Sequence, residues 1–217
     1  MRISNEIINI VPEIKKWRQQ LHAHPVLGYE EEWTSNFVAE KLESFGLEIH
    51  RGLGKTGIIG VLKGLDPTLG GGGNKAIGLR ADMDALPMTE ENNFSYKSKF
   101  EGRMHACGHD GHTAMLLGAA KLLSLKNDFN GTVYFIFQPA EEGGGGGLAM
   151  IDDGLFEQFP MDSVWGMHNW PGMNEGTVAI HKGSVMAAAD KFEVTIIGNG
   201  LSLIHIDAAD DLWCGGG

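Results

Sequence analysis

Residues 104–115, Met-His-Ala-Cys-Gly-His-Asp-Gly-His-Thr-Ala-Met, gather more metal-ligand chemistry than any other stretch of the chain. His105, Cys107, His109, Asp110 and His112 fall close together, directly before a long apolar run. A thiolate beside imidazoles suits zinc, manganese, cobalt or nickel better than magnesium or calcium. Cys107 and His109 are separated by a single residue, so both reach one ion only where the backbone loops around it. Gly108 gives that freedom. A closed zinc knuckle would need a second cysteine or histidine pair at finger-like spacing, and the one other cysteine, Cys214, lies far along the chain.

Two later stretches offer further ligands. In Gln138-Pro139-Ala140-Glu141-Glu142-Gly143, paired carboxylates follow an alternating run and precede the glycines at 143–147. Adjacent residues on an extended chain point in opposite directions, so one carboxylate can bind metal while its neighbour addresses substrate or water. Taken alone, the pair reads more simply as a solvated acidic turn. In Gly166-Met167-His168-Asn169-Trp170-Pro171, His168 follows an apolar run, and one histidine in such a place is more often structural than a ligand. Three ligand-bearing segments at strand ends in one chain favour a shared, metal-dependent hydrolase site.

These residues need a scaffold, and hydrophobic spacing predicts one. Ile7, Ile8, Val11, Ile14, Trp17 and Leu21 predict an amphipathic helix over 5–22, with His22 and His24 at its end as ordinary C-terminal histidines. A second helix is expected at about 30–46, with Gly46 as its C-cap. Short β-like runs follow at 47–51, 57–63 and 75–82, and the glycine-rich loop at 64–74 reads as an exposed hairpin connection. Ala76-Ile77-Gly78-Leu79 has the character of a central buried strand and runs into Arg80-Ala81-Asp82-Met83-Asp84. Residues 88–103 read as an irregular surface excursion. The stretch 110–125 is apolar nearly all round, as a buried helix is. Strands are expected at 131–138, 162–168, 176–181 and 191–197, and a short helix at 147–156. This alternation predicts an α/β fold with a sheet covered by helices.

The chain has 217 residues, 42% of them hydrophobic, enough for a real core. A net charge of −11 gives no support to a nucleic-acid partner. No apolar run approaches the ~18 residues of a membrane span, and the first residues lack the apolar core of a secretory signal. Two cysteines cannot build a disulfide framework. A cytoplasmic setting and no membrane partner are therefore expected.

The motifs Arg80-Ala81-Asp82-Met83-Asp84-Ala85-Leu86-Pro87, Met104–Thr113, Gln138–Gly143 and Gly166–Pro171 occur in that order, after Trp17–Pro25 and Gly28-Tyr29-Glu30-Glu31. Together they resemble the amidohydrolase branch of the aminoacylase/carboxypeptidase metallopeptidases. That branch includes hippurate hydrolase, N-acyl-amino-acid amidohydrolases and plant hydrolases of indole-acetyl-amino-acid conjugates. The resemblance covers about residues 5–200. It implies two divalent metal ions (manganese, zinc, cobalt or nickel) held by Cys107, His109, Glu142 and His168, with Glu141 as general base. Asp84, and less directly Asp82, would orient the site, with His105 and His112 in supporting places. The implied substrate is a small N-acyl amino acid, hippurate-like or N-acetylated, cleaved at its amide bond.

The resemblance also implies a mostly parallel or mixed sheet flanked by helices in a zinc-peptidase-like catalytic domain over 1–188. A lid and dimerisation domain would begin at 189–200. Beyond Gly198-Asn199-Gly200 the family continues with Gly-His-Ala, a lid through which full-length relatives form homodimers or higher oligomers, and a last histidine ligand. Here Leu201-Ser202-Leu203-Ile204-His205-Ile206-Asp207 follows instead, so 201–217 reads as an unrelated tail. The expectation is a truncated chain that binds metal weakly and has little or no amidase activity. The alternatives are a non-catalytic metal-binding or redox-sensing module using Cys107, or a nonfunctional fragment exposing an unpaired sheet edge at 191–197.

Overall fold

The helical spacing near the N-terminus closes into α1 (Asn5–His22), started by Ser4, whose hydroxyl accepts from the Ile7 N–H. Its buried face differs from the expected one. Ile10, Trp17 and Leu21 are buried, whereas Ile7, Ile8 and Val11 stay exposed, on a helix that packs along α3 (His109–Lys126). The computed structural model describes residues 4–65, 75–185 and 192–197. The chain divides into two units, residues 1–171 and 172–217, and the groups of possible metal ligands among the described residues lie in the first.

After α1 come α2 (Glu32–Ser44), β1 (Glu48–Leu53), β2 (Gly57–Lys63) and β3 (Ala76–Asp82), then α3, β4 (Thr132–Gln138), α4 (Gly146–Asp152), α5 (Leu155–Gln158) and β5 (Ser163–Gly166). They form one mixed five-stranded sheet of order β1-β2-β4-β3-β5. β2 runs antiparallel to β1 and β4, while β3 runs parallel to both β4 and β5.

The alternation in β4 explains its central place. Val133, Phe135 and Phe137 face the cluster built with Trp17, Leu21, Val38, Leu42, Leu117 and Ala120. Ile136 faces the opposite cluster, with Ile59, Val61, Met150, Leu155 and Phe159. Helices thus cover both faces, three on one side and the short pair on the other. Phe135 and Phe137 are fully buried, each contributing about 2–3 kcal/mol by removal from water.

The segment 64–74 is not a hairpin connection, since β4 lies between β2 and β3; residues 66–74 themselves fall outside the described set. No strand forms at 176–181 or 192–197, and Lys191 lies outside the described residues. Apolar alternation makes a strand only where a partner completes its ladder, and no described residue pairs with either segment. The unpaired edge expected at 191–197 goes with it. Ile77 in β3 is exposed, as are Met115 and Leu125 in α3. The excursion at 88–103 is irregular but anchored, because Glu90 is buried. Among the described residues no helix is long and apolar enough to cross a membrane.

One topological fact positions the site. Because β3, β4 and β5 are parallel, their C-terminal ends emerge at the same edge of the sheet, with Asp82 opposite Gln138 and Arg80 opposite Gly166. In open α/β sheets that edge is where ligands bind.

Candidate metal centre

Each parallel strand delivers its ligand types just past its last residue. β3 ends at Asp82 and leads to Asp84, β4 leads to Glu141 and Glu142, and β5 leads to His168 and Asn169. The N-terminus of α3 brings Cys107, His109 and His112 to the same place. Gly108 makes that approach possible: it has φ 95, and a Cβ there would lie 2.3 Å from Asn169 Oδ1.

His109 is the hub. Its ring is fully buried, and Nδ1 donates to Asp84 Oδ1 at 3.1 Å. Asp84 Oδ2 accepts the Glu142 N–H at 2.9 Å. One carboxylate therefore fixes both the imidazole and the loop carrying the paired glutamates. With Nδ1 protonated, the Nε2 lone pair faces Asp82 Oδ2 at 3.6 Å, Glu142 Oε1 at 3.7 Å and Glu141 Oε2 at 3.8 Å. Nε2 is buried and has no hydrogen-bond partner among the described residues. A buried polar atom left without a partner calls for an explanation.

The other side chains complete the cluster. Cys107 Sγ lies 3.4 Å from His168 Nε2, while His168 Nδ1 donates to the Asn169 carbonyl at 2.6 Å. His112 Nδ1 donates to Asp82 Oδ1 at 2.6 Å, and its Nε2 accepts the Asn169 N–H at 3.0 Å. Among the described residues, three sets bring ligand atoms within 4.8 Å of one another: Cys107, His109 and His168; Asp82, His109 and His112; and His109, Glu141 and Glu142.

The electrostatics describe a centre rich in negative charge. Burial pushes the Cys107 thiol up, and the Glu142 hydrogen bond with the charges of Glu142, Glu141 and Asp82 takes it to about 12. Burial would lower the His109 pKa, but the Asp84 hydrogen bond and the surrounding carboxylates raise it overall. Burial would likewise raise Asp82, yet His112, His109 and Arg80 hold it at about 2. Asp84 is lowered in the same way against its burial, by its bond to His109 and the backbone N–H groups of Glu142 and Glu141. A thiol, two imidazoles and several carboxylates converging on an unpartnered nitrogen fit divalent cations.

Of the residues singled out in the sequence, Asp82, Asp84, Cys107, His109, His112, Glu141, Glu142 and His168 come together. His105 does not. It is buried against His22 with neither ring nitrogen hydrogen-bonded among the described residues, and burial lowers its pKa to about 4. Sequence reasoning missed Asn169, which braces His112. It also passed over His22 as a helix-end histidine. His22 is buried between Asp110 Oδ2 at 2.8 Å and Glu90 Oε1 at 3.0 Å, tying α1 to the start of α3. Burial lowers its pKa, but these two partners more than offset that and raise it.

The hippurate hydrolase of Campylobacter jejuni is 50% identical over 200 residues, covering 92% of this chain and 50% of that protein. An N-acyl-L-amino acid amidohydrolase of Geobacillus stearothermophilus is 46% identical over 202 residues, 90% of this chain and 52% of that one. Among solved structures, the YXEP protein of Bacillus subtilis, described as a dinuclear metal binding peptidase, superposes with a TM-score of 0.69 at 38% identity. The match covers 76% of this chain and 44% of that one. The chain thus spans about half the length of the relatives it matches. Its mixed five-stranded sheet flanked by helices is that of their catalytic domain. Residues 78–210 match the family model for peptidase family M20/M25/M40, and the chain belongs to that metallopeptidase family.

Proposed function

We propose that this chain carries the catalytic machinery of a metal-dependent amidohydrolase acting on N-acyl amino acids, hippurate-like or N-acetylated. Cys107, His109, Glu142 and His168 hold two divalent ions, and Glu141 is the general base. The observation that carries this reading is the buried, unpartnered Nε2 of His109, faced by Glu141 and Glu142 within 4 Å. Ions bound there supply Lewis acidity, which activates water and polarises an amide carbonyl.

The chain's own residues do the rest. Asp84 holds the His109 tautomer and the Glu142 backbone, which supports Glu142 as the fixed, ligating member of the pair. Glu141 is the more exposed of the two, at 39% against 26% of the side chain. That suits a carboxylate which must reach a substrate. It takes a proton from the attacking water and delivers it to the leaving amine. Hippurate hydrolase and N-acyl-L-amino acid amidohydrolase among the relatives favour the same substrate class.

The test is Glu141→Gln. Bound metal per chain should be unchanged, while hydrolysis of benzoylglycine and N-acetyl amino acids should fall by ~10²–10⁴ from whatever rate the wild-type chain supports. A metal-binding or redox module without turnover would show no difference between the two proteins.

A further inference from the structure

Ala140, the residue before the paired glutamates, has φ 46. A residue with a Cβ adopts this left-handed conformation only where its surroundings impose it. What imposes it comes from the segment between α1 and α2. Glu31 Oε1 accepts the Ala140 N–H at 2.8 Å. Tyr29 Oη donates to the Gly144 carbonyl at 2.7 Å. Gly28 lies flat against Ala140, where a Cβ would sit 3.1 Å from both its Cα and its Cβ. With the Asp84 bond to the Glu142 N–H, the loop is held at Ala140, Glu142 and Gly144, on both sides of Glu141.

Glu31 is unusual in its own right. Its carboxylate is fully buried, and Oε2 accepts from the Thr56 hydroxyl at 2.6 Å. It stands at the N-cap of α2 yet makes no side-chain cap bond to that helix. A cap residue ordinarily satisfies its own helix's free N–H groups; this one reaches across the fold to another loop instead. Tyr29, facing the same loop, is also left-handed, with φ 65. Desolvating a carboxylate is unfavourable unless strong donors replace water, and the donor it meets here is the backbone that aims the two glutamates.

We propose that Glu31 and Tyr29 are positioning residues which, through Ala140 and Gly144, set the direction in which Glu141 and Glu142 present their carboxylates. This rests on the reading of the site as a metal centre. It assigns the Gly28-Tyr29-Glu30-Glu31 segment to the working site and not only to the turn between two helices.

The experiment titrates the wild-type chain, Tyr29→Phe, Glu31→Ala and Glu31→Gln with Mn²⁺ by calorimetry, with Co²⁺ absorption spectra as a second readout and circular dichroism to confirm folding. Tyr29→Phe and Glu31→Ala should each bind ~10–100-fold more weakly, with altered Co²⁺ bands, the size usual when a group orienting a ligand is lost. Glu31→Gln, whose amide oxygen still accepts from Ala140, should stay within a few-fold of wild type. Tyr29→Phe removes one hydroxyl from a part-exposed ring and carries the test even where Glu31→Ala does not fold. Unchanged affinity and spectrum in a folded Tyr29→Phe or Glu31→Ala protein would overturn this proposal alone. Absence of binding by wild type would overturn the metal-centre reading and this proposal together.

Discussion

Cys107 shows how the centre is poised. Its thiol is held near 12 by burial and by Glu142, Glu141 and Asp82, so the metal-free protein keeps it protonated at neutral pH. Thiolate is the ligating form, so if Cys107 ligates as proposed, binding must release that proton. Calorimetry in buffers of different ionisation enthalpy should detect release of about one proton per chain, and affinity should rise with pH. Cys107→Ser should abolish most of the release. Asp82 is the opposite case. Its folded pKa of about 2 lies below the ordinary 3.8. It contributes stability that is fully present above pH 3.8 and is lost as pH falls through 2. The difference corresponds to roughly 2 kcal/mol. Urea unfolding of metal-free wild type and Asp82→Asn should differ by about that amount at pH 5 and converge near pH 2. The residues that make these effects were legible from their types and motifs. Glu31 and Tyr29 were not, because their partners lie 109 and 115 positions away and local spacing carries no record of that contact.

At the scale of elements, the helices and strands of the first unit were legible because their periodicity is local. Which strand neighbours which was not. Insertion of β4 between β2 and β3 is a long-range choice, favoured by a strand apolar on both faces that needs helices on each side. The contact between α1 and α3 also escaped the pattern, since it depends on close approach at Gly118. A Cβ there would meet Ile14 Cδ1 at 2.4 Å. The obstructing atom is the far end of a flexible side chain. Gly118→Ala should therefore be nearly neutral, the ~1 kcal/mol gained in helix propensity offsetting the repacking of Ile14. Gly118→Leu has no such escape and should lose about 1–3 kcal/mol by overpacking. Thermal unfolding of the two variants separates these outcomes, and equal, large losses for both would show that the interface cannot yield at all.

At the scale of the molecule, the centre and the fold are one cooperative object. The ligands proposed above would arrive from the ends of β4 and β5 and from the start of α3, with Asp84, beyond the end of β3, hydrogen-bonded to His109. No short stretch of unfolded chain assembles the set, although Cys107 and His109 are close in sequence. Ligand binding to the folded state alone stabilises it by RT ln(1 + [L]/Kd), about 2.7 kcal/mol at a hundred times Kd. For a chain of this size each kcal/mol moves Tm by roughly 2–4 °C. Saturating Mn²⁺ should therefore raise Tm by about 5–10 °C, reversibly with chelator. His168→Ala should lose most of that rise, and so should Asp84→Ala, because the Asp84 carboxylate aligns His109 and the Glu142 loop together. A Tm indifferent to Mn²⁺, Zn²⁺ and Co²⁺ would mean that the converging groups satisfy one another without an ion. His109 Nε2, buried and unpartnered, would then have to gain a hydrogen bond from water, detectable as a change in its ¹⁵N shift.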